Sequence, residues 1–214
     1  MKAYRTIAKD YQHELTIKKS RFICYLYHIK DEEDVREKIA TTKKEHYKAN
    51  HHCSAFILGE TSHIKRSSDD GEPSGTAGIP ILTVLEKEGV TNVLAIVVRY
   101  FGGVKLGSGG LIRAYSSATS ETIHTAGLIE IKEQDSLVLH LSYSQYQDFQ
   151  QWLNSHHREI ADPIYAENVT ATLYCDKKDM NDLYDQIVDF FNGHITLEKG
   201  NSRIVRIPLS KKPI

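Results

Sequence analysis

Apolar and polar residues alternate near the start of the chain, and this alternation predicts two β-strands over residues 13–17 and 21–29. A short polar turn over residues 18–20 joins them. A helix is predicted to open at the acidic residues 31–34 and to end near Lys48. Negative charge stabilises the N-terminus of a helix and positive charge its C-terminus, so this charge order supports the helix.

The pattern becomes more apolar toward residue 100. In chain order it predicts a strand over 52–58, an exposed loop over 60–73, a short helix over 75–88, a strand over 92–100, a glycine-rich turn over 102–110 and a helix over 111–126. The continuous apolar run at 93–98 is typical of a central strand covered on both faces. Gly89 and Gly127 are the predicted ends of the two helices, since glycine readily adopts the conformation that ends a helix.

A different order of elements follows residue 127. The pattern predicts a strand over 137–141, a helix over 144–156, strands over 159–165 and 169–175, a helix over 178–191 and a last strand over 195–207. This β-α-β-β-α-β order is typical of a ferredoxin-like domain. We therefore predict an α+β protein with an N-terminal domain over residues 1–130 and a ferredoxin-like C-terminal domain over residues 131–214.

Composition narrows the class of protein. The 214 residues have no apolar run long enough to span a membrane, and a balanced charge with ample aliphatic residues argues against disorder. The sequence opens without a secretion signal. Its cysteines, Cys24, Cys53 and Cys175, are odd in number and far apart, which does not suggest a disulfide framework. We expect a cytoplasmic protein with no membrane contact.

The net charge of -1 averages two unlike parts of the chain. Residues 1–128 carry 18 basic and 15 acidic residues, a net of +3, and residues 129–214 carry 9 and 13, a net of -4. From residue 89 to residue 120 there is no acidic residue, while Arg99, Lys105 and Arg113 are basic. The overall balance therefore does not exclude an anionic partner.

The acidic stretch 67–76 is the first candidate for chemistry. Asp69, Asp70 and Glu72 place three carboxylates within four residues, and clustered carboxylates can hold a hard cation such as Mg²⁺. The alternative is an acidic turn that caps the following helix, with Ser74 or Thr76 accepting from its free N–H groups. With His52, the three acids form the predicted metal or polar site.

The glycine-rich stretch after the apolar strand is the second candidate. Nine of the 13 glycines lie between residues 71 and 110. Glycines let backbone N–H groups approach an anion closely, and the N-terminus of the next helix adds positive potential. The alternative is a tight strand-to-helix connection, because glycine serves both purposes. The predicted anion or nucleic-acid binding residues are Arg99, Gly102, Gly103, Lys105, Gly107, Ser108, Gly109, Gly110 and Arg113.

The stretch over residues 48–53 is a weaker candidate. His51, His52 and Cys53 suggest a metal, but neighbours on a strand point to opposite faces, and no further ligand pair completes a site. A hydrogen-bonded structural histidine is favoured. Cys53 lacks an identifiable orienting acid for a nucleophilic role, and neither Ser108 nor Ser117 has the context of a nucleophile elbow.

Several sequence blocks together resemble the IMPACT family, in particular its bacterial YigZ-type branch. The blocks are residues 49–56, 68–78, 97–103 and 106–115, and they occur in the family's order. The resemblance covers residues 15–127 in detail and nearly the whole chain more loosely. It implies a two-layer α/β N-terminal domain like domain 2 of ribosomal protein S5. It also implies a C-terminal domain akin to the last domain, domain V, of elongation factor G.

The resemblance implies a translation-associated regulatory protein. Eukaryotic IMPACT proteins regulate translation with the help of an additional N-terminal RWD domain, and their specific role is not transferred to this chain. Fold-level analogy does not by itself assign a function. Our first hypothesis is a non-enzymatic protein that binds RNA or the ribosome through the glycine-rich basic stretch, without a cofactor. The second is a metal-dependent enzyme that acts on a phosphorylated substrate with Mg²⁺ on the acidic cluster. The third is a protein-interaction module in which the glycines serve packing alone.

Overall fold

The computed structural model describes residues 1–209 and divides the chain into two compact units. The first comprises Met1–Ile131 together with the segment that begins at Arg206, and the second comprises Lys132–Val205. The division at residue 130 into two separate domains stays a prediction. None of the helices in residues 1–209 combines the length and the apolar character that a membrane crossing needs.

The first unit is built around a five-stranded antiparallel sheet in the order β2-β3-β6-β4-β5. Its elements are β1 (Tyr4–Ile7), β2 (Tyr11–Ile17), β3 (Ser20–His28), α1 (Glu32–Glu45), β4 (His51–Leu58), β5 (Ile64–Ser68), α2 (Gly78–Glu88), β6 (Val93–Tyr100) and α3 (Ser108–Ala126). A further strand, β7 (Leu128–Leu141), pairs through its first residues with β1.

Helices cover both faces of this sheet. On one face, α2 and α3 pack residues such as Ile81 and Tyr115 against Val97 of β6. On the other face, Val35 of α1 joins a second cluster that includes Ile96 of β6. Strand β6 is therefore buried on both sides, as its continuous apolar run predicts. The α+β class is confirmed, and α1 adds a layer to the two that the family resemblance implied.

Three elements of the first unit, β5, β1 and α2, differ from the prediction. Residues 64–68 of the predicted loop form β5, an edge strand that pairs with β4. The loop prediction was wrong here because the strand is mostly polar and exposed, so it lacks an apolar alternation. Strand β1 was not predicted. Helix α2 begins at Gly78, three residues later than predicted, and ends at Gly89 in the left-handed conformation, as expected.

The second unit has the strand order of a ferredoxin-like fold. The later part of β7 pairs with β9 (Val169–Asp176) on one side and with β10 (Thr196–Lys199) on the other, and β8 (Ala161–Tyr165) pairs with β9. The helices α4 (Tyr143–Ser155) and α5 (Met180–Phe190) complete the β-α-β-β-α-β order. The predicted fold is therefore confirmed in this unit.

The predicted last strand over 195–207 is interrupted in the structure. Strand β10 ends at Lys199, and β11 (Arg203–Pro208) follows as a separate strand. Gly200 lies between them and donates its backbone N–H to the Ser136 carbonyl. A Cβ at Gly200 would meet Ser136 Oγ at 2.4 Å and Val138 Cγ2 at 2.8 Å, so any other residue would require these side chains to shift.

Candidate functional site

A pocket of about 460 Å³ lies where β4 and β6 meet the N-terminus of α3, and we call it the α3 pocket. Strand β4 pairs with β6 so that His51 lies opposite Arg99. The glycine-rich segment leaves β6 and enters α3 across the same opening. The polar residues of the lining are Asn50, His51, Glu72, Arg99, Lys105 and Ser108, and the apolar ones are Pro73, Phe101, Leu106 and Leu111.

A buried ion pair forms the floor of the α3 pocket. Arg99 Nη1 donates to Glu72 Oε1 at 2.6 Å, and the two residues are only 5% and 8% exposed. The Tyr115 hydroxyl donates to the same carboxylate oxygen at 2.8 Å. Charged groups this deeply buried are found only when they are paired and hydrogen-bonded. Removal of either partner would leave an uncompensated charge in the core.

Burial also raises the pKa values of two groups next to this ion pair, Cys53 and Tyr115. It raises the pKa of the Cys53 thiol to about 12 and raises the pKa of the Tyr115 hydroxyl further above its ordinary range. Cys53 Sγ lies 2.9 Å from the Asp69 carbonyl oxygen and 3.3 Å from Tyr115 Oη. The thiol is therefore protonated at neutral pH and acts as a packing residue and weak donor. It is a poor candidate for a nucleophile, since only the thiolate is strongly nucleophilic.

The Arg99 guanidinium keeps an unused donor. Its Nε is buried and has no hydrogen-bond partner within residues 1–209. The guanidinium carbon lies 5.4 Å from the centre of the Phe22 ring and 5.5 Å from that of Phe101. Buried polar atoms in proteins are nearly always hydrogen-bonded, so an unpaired Nε is unusual. Arg99 lines the α3 pocket as a residue, but this Nε is itself buried.

Helix α3 begins without a side-chain cap in the part of the chain that the structure describes. Gly107 precedes it with a φ of +72°, and no side chain accepts from its first N–H groups. Its first turn, Ser108 to Leu111, contains no acidic residue. An uncapped helix start has free N–H donors and a partial positive charge. These donors face an opening that Arg99 and Lys105 also line.

The glycines of this segment serve different purposes. A Cβ at Gly102 would meet the Lys19 carbonyl oxygen at 2.0 Å, so this glycine is required for packing. Gly103 and Gly107 have φ of +83° and +72°, which favours glycine. Gly109 has ordinary φ, and within residues 1–209 no heavy atom lies within 4 Å of its added Cβ. The tight-connection alternative thus accounts for Gly102 but not for Gly109.

Five of the nine predicted anion-binding residues, Gly102, Gly103, Gly109, Gly110 and Arg113, are not part of the α3 pocket lining. Arg113 and Gly110 line a smaller pocket of about 230 Å³ with Lys18 and Ser117. Leu106 contributes to both pockets. The structure therefore places Arg99, Lys105, Gly107 and Ser108 in one lining and separates them from Arg113.

The three carboxylates of the acidic stretch have different partners. Asp69 accepts from the backbone N–H groups of Gly75, Ala77 and Gly78 at 2.8 to 3.0 Å, so it caps the start of α2. Burial acts to raise its pKa, but these three bonds outweigh burial and hold the pKa below the ordinary value. The capping alternative is supported, although the capping residue is Asp69 and neither Ser74 nor Thr76.

Asp70 and Glu72 point to other groups. Asp70 accepts from Lys43 Nζ and from the His52 backbone N–H, both at 2.7 Å. Burial acts to raise the pKa of Asp70, but the Lys43 hydrogen bond and the His52 N–H outweigh it and lower the pKa. Glu72 faces Arg99 instead. Within residues 1–209 no group of three or more His, Cys, Asp or Glu side chains is placed to hold a metal. The Mg²⁺ hypothesis stays a prediction.

The two neighbouring histidines have opposite surroundings. His52 Nε2 lies 3.1 Å from the His46 carbonyl oxygen, and His52 is not part of the pocket lining. His51 lines the pocket, with Nδ1 2.9 Å from the Asp70 carbonyl oxygen and Nε2 3.9 Å from Glu72 Oε1. Strand alternation indicates that one histidine faces each way. Only the register with β6 shows that His51 is the one beside Arg99.

Comparison with known proteins decides the family. The model of the Impact N-terminal domain matches residues 18–123, and the model of a domain of unknown function, DUF1949, matches residues 139–194. The IMPACT family member YvyE of Bacillus subtilis is 38% identical over 198 residues, which span 92% of this chain and 91% of YvyE. This chain belongs to the IMPACT family. The resemblance drawn from its sequence blocks is therefore confirmed.

Other IMPACT relatives match over similar lengths. The family member YigZ of Escherichia coli is 32% identical over 183 residues, which span 85% of this chain and 90% of YigZ. A crystal structure described as that of a hypothetical protein has a TM-score of 0.60 and 31% identity. That alignment covers 92% of this chain and 97% of the other. The similarity to these relatives therefore extends over both units.

Proposed function

We propose that this IMPACT-family protein regulates translation by binding RNA, and that the α3 pocket holds a phosphate group of that RNA. The observation that carries the proposal is the uncapped N-terminus of α3, which faces a pocket that Arg99 and exposed Lys105 also line. A phosphate group would accept hydrogen bonds from the free N–H groups of the helix and from Lys105.

The α3 pocket has a small net positive charge, which favours an anion but attracts it only weakly. Glu72 neutralises Arg99, so Arg99 contributes a hydrogen-bond donor more than a net charge. The positive potential comes from exposed Lys105 and from the start of α3, which carries about half an elementary charge. This combination favours a single phosphate held by directed hydrogen bonds.

The apolar part of the lining supports a nucleotide over a free phosphate ion. Phe101, Leu106, Leu111 and Pro73 form this wall, and Phe101 is 45% exposed. Exposed aromatic rings in basic clefts are platforms on which bases of single-stranded RNA stack. Membership of the IMPACT family supports the translational part of the proposal, because the resemblance to that family implies an association with translation.

A binding titration with a charge-reversal variant tests this proposal. The probe is a fluorescent ten-residue oligouridine, titrated with the full chain at several salt concentrations. Lys105→Glu should weaken binding about tenfold and reduce the slope of log affinity against log salt by about one. The matched control is Lys87→Glu, an exposed lysine near the end of α2 that should leave affinity unchanged apart from a small general effect.

Equal binding by wild type and Lys105→Glu would contradict the site assignment. Co-sedimentation of the native protein with ribosomes gives a second test of the translational role. We expect nuclease or high salt to release the protein. Association that resists both treatments would instead favour the protein-interaction alternative.

A further inference from the structure

The α3 pocket contains a hydrogen-bond acceptor that phosphate binding does not use. We propose that His51 Nε2 accepts a hydrogen bond from the 2′-hydroxyl of a ribose, so that this pocket selects RNA over DNA. This inference rests on the proposed function, because it takes an RNA phosphate to be bound beside Arg99. It adds the residue that recognises the sugar and the class of nucleic acid that is excluded.

The hydrogen bond at the other ring nitrogen fixes the tautomer of His51. Nδ1 lies 2.9 Å from the Asp70 carbonyl oxygen, and a carbonyl oxygen only accepts. Nδ1 therefore carries the hydrogen, and in the neutral ring Nε2 has a free lone pair. Asp70 is itself held by Lys43 and by the His52 backbone N–H, so the carbonyl that orients the ring has a fixed position.

His51 Nε2 has an acceptor lone pair that its neighbour Glu72 does not satisfy. Glu72 Oε1 lies 3.9 Å away, which is beyond hydrogen-bond distance, and that oxygen already accepts from Arg99 and from Tyr115. The His51 side chain is 24% exposed and lines the pocket, so part of the ring is accessible to a ligand. A ribose hydroxyl can donate to such an acceptor, whereas deoxyribose has a C–H group in its place.

The pocket is large enough to hold the sugar and the phosphate together. Its volume of about 460 Å³ lies in the range of ordinary ligand sites, about 300 to 1,000 Å³. His51 and Arg99 are opposite one another across the β4 and β6 pair, so a phosphate at Arg99 brings its own ribose toward the His51 ring. One nucleotide thus meets donors at its phosphate and an acceptor at its sugar.

The experiment compares three ten-residue probes, oligouridine, oligodeoxyuridine and 2′-O-methyl oligouridine, on the full chain. Wild type should bind oligouridine about tenfold more tightly than either of the other two, because both lack the hydroxyl donor. His51→Phe should bind oligouridine and oligodeoxyuridine equally, through loss of affinity for oligouridine alone. His63→Phe, at an exposed histidine that does not line the pocket, should keep the tenfold preference.

The other possible results of this experiment distinguish failure of the inference from failure of the proposed function. Equal affinity of wild type for oligouridine and oligodeoxyuridine would overturn the inference and leave the proposed function standing. Failure of wild type to bind either probe would overturn the proposed function itself. A preference that survives in His51→Phe would overturn the assignment to His51. If that variant does not fold, the methylated probe still decides, because tight binding of a probe without a 2′ donor overturns the inference.

Discussion

The Tyr115 hydroxyl of α3 donates a hydrogen bond of 2.8 Å to Glu72 Oε1, the oxygen that also accepts from Arg99. The loop that carries Glu72 is thereby joined to a helix 43 residues further along the chain. All three side chains are buried, so the floor of the α3 pocket is part of the core of the first unit. A substitution in the floor of the α3 pocket should therefore change both the pocket and the stability of the unit.

Tyr115→Phe should lower the free energy of unfolding by about 1 to 3 kcal/mol. The substitution keeps the ring that packs edge-on against Phe22, but it removes a donor from a buried carboxylate. Urea denaturation of the variant measures the loss. Tyr47→Phe is the matched control, because Tyr47 is 74% exposed and should change stability very little. Equal stability of the two variants would show that the Tyr115 hydrogen bond contributes nothing.

Glu72→Gln should destabilise the protein by about 3 to 5 kcal/mol, because it leaves the Arg99 charge buried without a counter-ion. The double variant Glu72→Leu with Arg99→Met should recover most of this loss, since apolar residues can replace a buried ion pair. A double-mutant cycle of Glu72→Leu, Arg99→Met and the double variant, built from free energies of unfolding in denaturant, gives the coupling. Single losses that simply add would contradict a coupled pair.

Asp69 should make stability depend on pH in the acid range. Its pKa is lowered in the folded protein, so its contribution is fully present above the unfolded value of about 3.9 and is lost as pH falls through the lower folded value. Asp69→Asn removes this contribution. At low pH its melting temperature should be similar to that of wild type, whereas at pH 7 it should be lower than that of wild type. Thermal scans between pH 2 and pH 7 measure the difference. A constant gap across that range would contradict the prediction.

Gly109→Ala separates the two explanations of the glycine-rich segment. The added methyl group has open space and lies in the first turn of α3, so stability should rise by about 0.5 to 1 kcal/mol. RNA affinity should fall, because a Cβ near the start of a helix points toward its N-terminus and crowds the approach to the N–H groups. Gly102→Ala, in contrast, should prevent stable folding, since its Cβ would overlap the Lys19 carbonyl.

Sequence patterns predicted those elements that are buried in the same way along their whole length. Strand β6 is apolar at every position from Val93 to Val98 because both faces are covered, and this is visible without a structure. Strand β5 has only Ile64 as an apolar residue, so its pairing at the sheet edge leaves no periodic signal. Local composition therefore indicated buried strands well and an exposed edge strand poorly.

The candidate site was less accessible to prediction because its contacts join distant parts of the chain. The three clustered acids suggested one site, yet Asp69 caps α2, Asp70 binds Lys43 and Glu72 pairs with Arg99. Likewise, strand alternation separates His51 from His52 but does not say which of them shares a face with the pocket. The choice depends on the register between β4 and β6, which no short motif encodes.

The neutralised arginine of the α3 pocket also bears on how long a bound strand would stay. A bound phosphate would share Arg99 with the Glu72 carboxylate, so the net electrostatic attraction that opposes its dissociation would be small. Under the proposed function, such a contact would suit a regulator that binds and releases many RNA molecules in turn.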